Sequence, residues 1–426
     1  MNNDNILSPK DIAGNLNQIS LQKKIILGIQ HTFTMFGATV LVPIITGFDI
    51  SVALFMAGIG TLLFHLVTNG KIPAFLGSSF AFIAPIMSVL LLKTGTNAAE
   101  EAFGSPLFGE ALAYAQGGLV VAGIVYLLMA GLVAIFGVEK IISFFPPIVT
   151  GPIILVIGLK LAPTAIDMAS GNWFLAIVSF GIVTAVSIYG RGFLKVLPVL
   201  IGLTGGYIVA LITGNVDFTP MKEAAWVGVP AFRMAKFSFE TIMIVAPIAV
   251  ATMIEHIGDV LAIGTTVNKD FIKNPGLHRT LIGDGLATSI SAMFGGPANT
   301  TYSENTGVLA LTRVHDPFII RIAAVFAILL GIMPKIGAVI KTIPTSVVGG
   351  ISIVLFGMIA SIGAKSLVEH NIDFGKSRNL IISAVILVLG LGGASLPIPY
   401  FNVTLEGMAL AAIIGIILNK ILPKDI

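Results

Sequence analysis

The sequence predicts an all-α protein that crosses a membrane many times. Of its 426 residues, 56% are hydrophobic and 11% are charged, whereas soluble proteins carry about 25% charged residues. The mean hydropathy is +0.99. Apolar stretches of about 20 residues, the length that a helix needs to span the hydrocarbon core, recur along the whole chain. No stretch is long and polar enough to form a separate soluble domain.

Fourteen apolar segments follow one another along the chain. They lie near residues 24–46, 50–69, 72–92, 117–136, 141–161, 172–190, 195–214, 238–262, 280–295, 297–312, 316–334, 338–362, 379–395 and 403–422. Segments 3 ("KIPAFLGSSFAFIAP") and 10 ("GGPANTTYSENTG") are the weakest helices, because Pro near the start of each is followed by small polar residues. We expect each to be an extended stretch and then a short helix. Non-helical backbone at membrane depth occurs only inside protein or along a cavity.

The ends and loops of the chain predict its orientation. Residues 1–23 are polar and lack an apolar core with a small-residue cleavage site, so we expect a cytoplasmic segment and no signal peptide. With this end inside, most of the 24 Lys and Arg residues fall in cytoplasmic loops, as the positive-inside rule requires. Both termini are therefore expected in the cytoplasm. The chain has no cysteine, which excludes disulfides.

Short matches relate the two halves of the sequence. "QH" at 30–31 aligns with "EH" at 255–256, 225 residues later, and the "PA" pairs of segments 3 and 10 align at an offset of 224. On that register Phe80 lies opposite Glu304. Seven segments per half is an odd number, so the halves would enter the membrane from opposite faces as inverted repeats. Transporters of this architecture bind their substrate near the midplane, where broken helices meet, and segments 3 and 10 are the expected meeting point.

Four carboxylates lie within the apolar segments. Glu255 and Asp259 are four residues apart in segment 8 and share a helix face; Asp284 is in segment 9 and Glu304 in segment 10. Charged groups at bilayer depth are costly and mark function. No Lys or Arg accompanies them, and a carboxyl group buried without a cation favours its neutral form. Such a group can carry a proton at pH 7, as a proton-coupled carrier requires.

Structural roles stay open for some of these residues. Ser303 or Glu304 could cap the short helix after the break, and Asp259 could bond a neighbouring Ser or Thr. Asp284 lies near the cytoplasmic end of its segment and follows a Gly, so we expect a solvated or helix-capping role for it.

Motifs for metal binding or catalysis are absent from the sequence. His31 and His256 could be packing residues or site residues. "EHIGD" is not the HExxH zinc motif, and neither a nucleophile elbow nor a phosphate-binding loop occurs. We therefore expect no metal, no cofactor and no enzymatic activity.

Several of these stretches together resemble a known family. "SENTGVLALTR" at 303–313, "GSSFAF" at 77–82, "EHIGD" at 255–259 and the "QH" of segment 1 match, in order, the motifs of the nucleobase–ascorbate transporter family (nucleobase:cation symporter-2). The resemblance covers essentially the whole chain and is greatest to bacterial uracil carriers. It implies a secondary transporter that imports uracil by proton symport, with xanthine or uric acid as the alternative substrate. An ion channel is the less favoured alternative.

The resemblance also implies an architecture. It implies fourteen spans in two inverted seven-segment repeats, with short antiparallel strands in segments 3 and 10. After the cytoplasmic segment 1–23, the core domain comprises 24–136 and 238–334, and the gate domain comprises 137–237 and 335–426. It implies a homodimer in the cytoplasmic membrane of a bacterium, with nucleobase, protons and lipid as partners and no nucleic acid.

The resemblance assigns roles to individual residues. Glu255 and Glu304 would hold the N–H groups of the substrate, and Phe80 would stack on its ring. The backbone near Tyr302 and Ser303 would bond the ring carbonyls.

Other residues would support this site or couple it to protons. His31 and Asn305 would brace it, and Asp259 and His256 would brace it or take part in proton coupling. Three departures from the uracil-type pattern keep the purine alternative open: Asp259 replaces a common His, Ser303 replaces a Gly, and Phe356 replaces a Tyr.

Overall fold

The computed structural model describes residues 20–95, 105–302, 304–398 and 403–423, and it is mostly helical. The helices are α1 Leu21–Thr46, α2 Ile50–Val67, α3 Ile83–Thr94, α4 Pro106–Phe136, α5 Val138–Ile142, α6 Pro147–Lys160, α7 Ala162–Ser170, α8 Trp173–Tyr189, α9 Pro198–Ile212, α10 Thr219–Glu223, α11 Phe239–Val245, α12 Ala249–Val267, α13 Leu277–Met293, α14 Glu304–Thr312, α15 Pro317–Gly331, α16 Pro334–Lys341, α17 Thr345–Glu369, α18 Ser377–Leu391 and α19 Gly407–Ile421. Short irregular helical turns lie at Phe80–Phe82, Gly192–Val196, Ala246–Ile248 and Ile272–Gly276.

Two short strands lie where the sequence predicts broken segments. β1 (Leu76–Ser78) and β2 (Asn299–Thr301) pair antiparallel, with Gly77 opposite Thr300. Each strand is followed by a short helical stretch, Phe80–Thr94 in one case and α14 in the other. The predicted meeting of segments 3 and 10 is therefore confirmed.

A second strand pair was not predicted. β3 (Ser395–Ile398) and β4 (Val403–Glu406) form an antiparallel pair. β3 begins at the last residue of segment 13 and runs into the expected connection, and β4 takes up the first four residues of segment 14, which was expected to be helical. Pro397 cannot continue a helix because it lacks a backbone N–H, and the β-branched pair at 403–404 favours a strand. The helices are correspondingly shorter, and α18 ends at Leu391.

Six helical stretches within the described residues are long and apolar enough to cross a membrane: Leu21–Thr46, Ile50–Val67, Pro106–Phe136, Pro147–Ser170, Phe239–Val267 and Thr345–Glu369. Two of them join consecutive helices, α6 with α7 and α11 with α12. The pair α15–α16, bent by 78°, makes a seventh if it is one span. Shorter apolar helices, such as Trp173–Tyr189 and Ser377–Leu391, do not qualify alone, so the expected fourteen crossings stay a prediction. The structure is thus that of a polytopic helical membrane protein.

Polar residues fix where several helices begin. Ser20 caps α1, and Asp49 caps α2 by accepting a hydrogen bond of 3.0 Å from the Val52 N–H. Ser105 caps α4, whose first residue is Pro106. These side chains satisfy N–H groups that have no partner within the helix, and Pro at the first position has no N–H to satisfy.

The helices pack in two groups. In one, α13 contacts α4 and α2, and α15 contacts α1 and α2; in the other, α17 contacts α6, α7 and α8, and α18 contacts α6 and α19. Glycines permit the closest approach in the first group: a Cβ on Gly123 would collide with the Gly285 carbonyl of α13. β1 and β2 belong to the first group, because they contact α2.

Candidate functional site

The paired strands β1 and β2 form the floor of the candidate site. Their ladder extends by one bond at each end, from Tyr302 N to Phe75 O (2.9 Å) and from Ser79 N to Ala298 O (3.0 Å). Because only two strands pair, their outer edges need other partners.

Side chains of the surrounding helices supply those partners. The Leu76 N–H donates to Thr61 Oγ1 (2.9 Å), and the Asn299 carbonyl accepts from Thr288 Oγ1 (2.7 Å). Asn299 Nδ2 in turn donates to the Met56 carbonyl (2.8 Å). These bonds give hydrogen-bond partners to backbone groups on the outer edges of the strands, and they hold the two strands in place against the helices.

Glu304 and Glu255 lie beside this floor on two different helices. Glu304 is the first residue of α14, three residues after the end of β2, and Glu255 is on α12, which packs against α14. Both side chains are exposed, and they are close enough for their charges to interact. The N-terminus of α14, which carries partial positive charge, begins at the same point. The two predicted carboxylates therefore share one solvent-reachable space.

This space continues as a crevice along α12 and α14. On α12, the exposed positions Glu255, Gly258 and Leu261 recur at helical spacing; on α14, Glu304 and Gly307 do the same. Space around Gly258 is open, since a Cβ there would meet no atom within 4 Å. We name these two stripes, continuing to Thr265 and Ala310, the crevice.

The crevice runs toward the end of the protein where α1 begins. α14 leads into Asp316, and Asp316 Oδ2 forms an ion pair of 2.8 Å with Lys24 Nζ in the first turn of α1. The far end of α1 is about 39 Å away, because a helix rises about 1.5 Å per residue over its 26 residues. There, Thr39 to Pro43 are all buried.

A fully buried polar network lies behind Glu255. His256 Nδ1 is 2.9 Å from Asp284 Oδ2 and 2.9 Å from Thr301 Oγ1. Asp284 also accepts bonds from the Thr301 hydroxyl (2.9 Å) and the Thr301 N–H (3.3 Å). The network connects α12, α13 and β2. The expectation that Asp284 is solvated or capping is wrong: it lies within α13 and is fully buried, because residues distant in sequence supply its partners.

His31 and Asn305 contact each other. Asn305 Nδ2 lies 3.2 Å from His31 Nδ1 and 3.4 Å from the His31 carbonyl. Both residues are buried. The pair fixes α14 to α1 one residue after Glu304, the arrangement expected of residues that brace a site.

Phe80 contacts the other group of helices. Its ring packs edge-to-face against Phe356 of α17, with centroids 6.3 Å apart and ring planes at 75°. Phe80 begins the helical stretch after β1 and is half-buried, whereas Phe356 is buried. The two rings form a contact between the helix groups close to the strand floor.

The remaining predicted site residues have other surroundings. The Tyr302 hydroxyl donates to the Ser78 carbonyl (2.9 Å), and the Tyr302 N–H bonds Phe75, so both donors are occupied by β1 and its flank. Ser303 lies outside the described residues. Asp259 is buried on α12, one turn after Glu255.

The arrangement suits a neutral, flat ligand with hydrogen-bonding edges. Carboxylates accept N–H bonds, helix N-termini supply N–H donors, and an aromatic ring provides a stacking face. Among the described residues, no group of three or more His, Cys, Asp or Glu side chains could hold a metal ion.

Comparison with known proteins decides the family. The sequence profile of a permease family, Xan_ur_permease, matches residues 22–398. The chain belongs to this permease family. It is 45% identical over 415 residues to the uracil permease of Bacillus caldolyticus, covering 94% of this chain and 92% of that protein. It is 39% identical over 412 residues to the uracil permease of Escherichia coli strain K12, covering 94% and 91%.

A solved transporter shares the fold of this permease family member. The transmembrane domain of the cyanobacterial bicarbonate transporter BicA superposes with a TM-score of 0.60 at 17% identity, covering 94% of this chain and 97% of that one. The family recognised from the four motifs is thus confirmed. Its members are permeases, which are transporters and not enzymes.

Proposed function

We propose that the chain is a proton-coupled uracil importer. The observation that carries the proposal is that Glu255 and Glu304 share one crevice beside the β1–β2 floor. Relatives named uracil permease, 39–45% identical over more than nine-tenths of the chain, support uracil over a purine.

Uracil fits the chemistry of this crevice. Its ring alternates N–H donors with C=O acceptors. Oxygens of the two carboxyl groups accept from the N–H groups, whether or not one carboxyl carries a proton, and N–H groups at the start of α14 donate to a carbonyl. Phe80 provides the stacking face. A ligand that leaves one buried polar group unpaired costs about 1–3 kcal/mol, which discriminates uracil from cytosine, whose pattern differs at one edge.

Proton coupling follows from the two carboxylates. Two negative charges that face one cavity repel each other, and a proton bound there removes the repulsion. Proton and substrate would then enter together, and the proton gradient would drive uptake. His256 directly follows Glu255, and Asp259 lies one helical turn after it; both are near enough to support this step.

The two helix groups correspond to a moving core and gate. The core would comprise 24–136 and 238–334, and the gate 137–237 and 335–426, in a fourteen-span protein of two inverted repeats. The separate packing of the two groups and the Phe80–Phe356 contact between them support this division. With both termini in the cytoplasm of a bacterium, the crevice faces inward, and it is closed toward the other face. The chain would work as a homodimer in the inner membrane.

Uptake of labelled uracil tests the function. Cells without their own uracil carrier should gain saturable uptake when they make this chain, and a protonophore should abolish it. Glu304→Ala should lose uptake, whereas Glu223→Ala, the same change on an exposed loop helix, should retain it. Full competition by unlabelled xanthine or uric acid would point to the purine alternative, and flux without saturation to a channel.

A further inference from the structure

A second cavity lies at the opposite end of α1 from the mouth of the crevice. It has a volume of about 400 Å³, within the range of about 300–1,000 Å³ that small-ligand sites occupy. Its polar side chains are Asp49, Gln116, Arg233, Lys341 and Thr345, with Phe48 beside them. We name it the outer cavity. It shares no residue with the crevice.

Gln116 is the buried polar group of the outer cavity. It is 1% exposed, and its Oε1 has no hydrogen-bond partner among the described residues. Leaving a buried amide oxygen unpaired is costly. The two ends of an amide exchange by rotation about its last bond, so Gln116 can present either an acceptor or a donor to a ligand. A ligand with an N–H group would supply the missing hydrogen bond to Gln116 Oε1.

Arg233 brings free donors to the same wall. Its guanidinium lies against Gly109, where a Cβ would collide with it. Gly109, Leu112 and Gln116 are spaced to share one face of α4. No carboxylate in the described part of the chain lies within ion-pair distance of Arg233. The backbone holds the residue in place, since Arg233 N–H donates to the Phe294 carbonyl (3.3 Å).

An ion pair completes the polar lining. Lys341 Nζ is 3.5 Å from Asp49 Oδ2, and Asp49 is already engaged as the cap of α2. Lys341 is on α16 in the proposed gate, and Asp49 is in the proposed core. The outer cavity therefore offers two cationic donors, one occupied carboxylate and one amide without a full set of partners.

These groups fit one edge of a nucleobase. A lactam edge presents an N–H beside a C=O, which pairs with the acceptor and the donor of a single amide. A second ring carbonyl takes a bond from a guanidinium. A simple anion would satisfy the cations but would leave the Gln116 oxygen unpaired.

We propose that the outer cavity is a second, transient nucleobase site on the face opposite the crevice, with Gln116 pairing with the lactam edge and Arg233 donating to a ring carbonyl. The proposal rests on the proposed function. Uracil that arrives from that face would bind here before the core and gate rearrange to admit it to the crevice.

Influx kinetics test this site. Initial rates of labelled uracil uptake, measured against concentration in whole cells, should give a KM raised at least fivefold by Gln116→Leu and by Arg233→Gln, with the maximal rate retained. Uracil binding to the purified protein at the crevice should change less than twofold. Gln22→Leu, the same change on the exposed first turn of α1, is the matched control. Arg233 is exposed, so its variant keeps the test decisive if Gln116→Leu misfolds.

The outcomes separate this site from the function itself. An influx KM that stays at the wild-type value in both variants, while the wild-type chain imports uracil, overturns the second site alone. If the wild-type chain imports no uracil, the proposed function fails and this site fails with it.

Discussion

The imidazole of His256 lies 2.9 Å from the carboxylate of Asp284, and both side chains are fully buried. His256 directly follows Glu255, so this contact sets the rotation of α12. With the imidazole turned toward α13 and β2, the Glu255 side chain points about 100° away around the helix, into the crevice. The buried pair thus orients a residue that the substrate would touch.

Removing this buried pair should destabilise the protein. Asp284→Leu leaves His256 and the Thr301 N–H without their acceptor, and each buried polar group left unpaired costs about 1–3 kcal/mol. Thermal unfolding of the detergent-purified protein should show a clearly lower Tm than wild type. Asp167→Leu, at an exposed position of α7, should change it little. Equal Tm values for the two variants would show that the network contributes nothing.

The carboxylates of the crevice could be predicted from the sequence because a charged side chain at membrane depth is energetically unfavourable and therefore marks function. Glu255 and Glu304 stand out in apolar segments without a cation, and Pro, Gly and small polar residues mark segments 3 and 10 as broken. The family motifs then supplied Phe80, His31 and Asn305 as partners. These signals are local, so one sequence is enough to read them.

The role of Asp284 could not be predicted in the same way. Its partners are His256, 28 positions earlier, and Thr301, 17 positions later, and only the folded chain brings them together. A Gly before it and a position near the segment end suggested solvent. The strand register and the β3–β4 pair were likewise hidden, because both depend on contacts between segments. The lack of a Lys or Arg within these segments applies to all four carboxylates, so by itself it does not separate a buried Asp284 from a capping one.

Both crevice carboxylates should be required for uracil binding. Glu255→Gln and Glu304→Gln each replace an acceptor by an amide that also presents donors to the substrate N–H groups. An unpaired group costs about 1–3 kcal/mol, a factor of about 5–150 in Kd. Equilibrium binding of labelled uracil to purified protein measures the loss, and Glu223→Gln is the control. Wild-type affinity in either crevice variant would exclude that carboxylate from the site.

The strand register can be tested with engineered disulfides, since the chain has no cysteine of its own. Ser78 lies opposite Asn299 in a pair flanked by the hydrogen-bonded positions, where Cα atoms are about 4.5 Å apart. Ser78→Cys with Asn299→Cys should therefore cross-link under mild oxidation.

Ser78→Cys with Thr300→Cys provides the register control, because neighbouring strand residues point to opposite faces. It should cross-link poorly. Protease cleavage between the strands followed by gel analysis distinguishes the two. Cross-linking of the control pair alone would mean a register shifted by one residue.

The crevice should be reachable from one side of the membrane only. Gly258→Cys has open space around it in the crevice, whereas Gly181→Cys has the same open space on the outer surface of α8. A charged thiol reagent that cannot cross membranes should label Gly258→Cys in inverted vesicles and not in intact cells. Gly181→Cys, facing lipid, should resist it in both. Labelling of Gly258→Cys from outside would reverse the proposed orientation.

Phe80 should contribute to affinity through its ring. Phe80→Leu keeps an apolar side chain but removes the stacking face and the edge contact with Phe356, each aromatic contact being worth about 0.5–1.5 kcal/mol. Uracil binding should weaken by about threefold to tenfold, as measured by competition with labelled uracil. Phe174→Leu, at an exposed position of α8, should bind as wild type does. An unchanged affinity in Phe80→Leu would place the ligand elsewhere.

The position of bound substrate tests the central claim most directly. Crystals grown with 5-bromouracil locate the bromine by its anomalous signal. We predict that the strongest peak lies between the carboxylates of Glu255 and Glu304 and the ring of Phe80, beside the β1–β2 floor. A strongest peak outside the crevice, with those two carboxylates left in contact with solvent alone, would contradict the account.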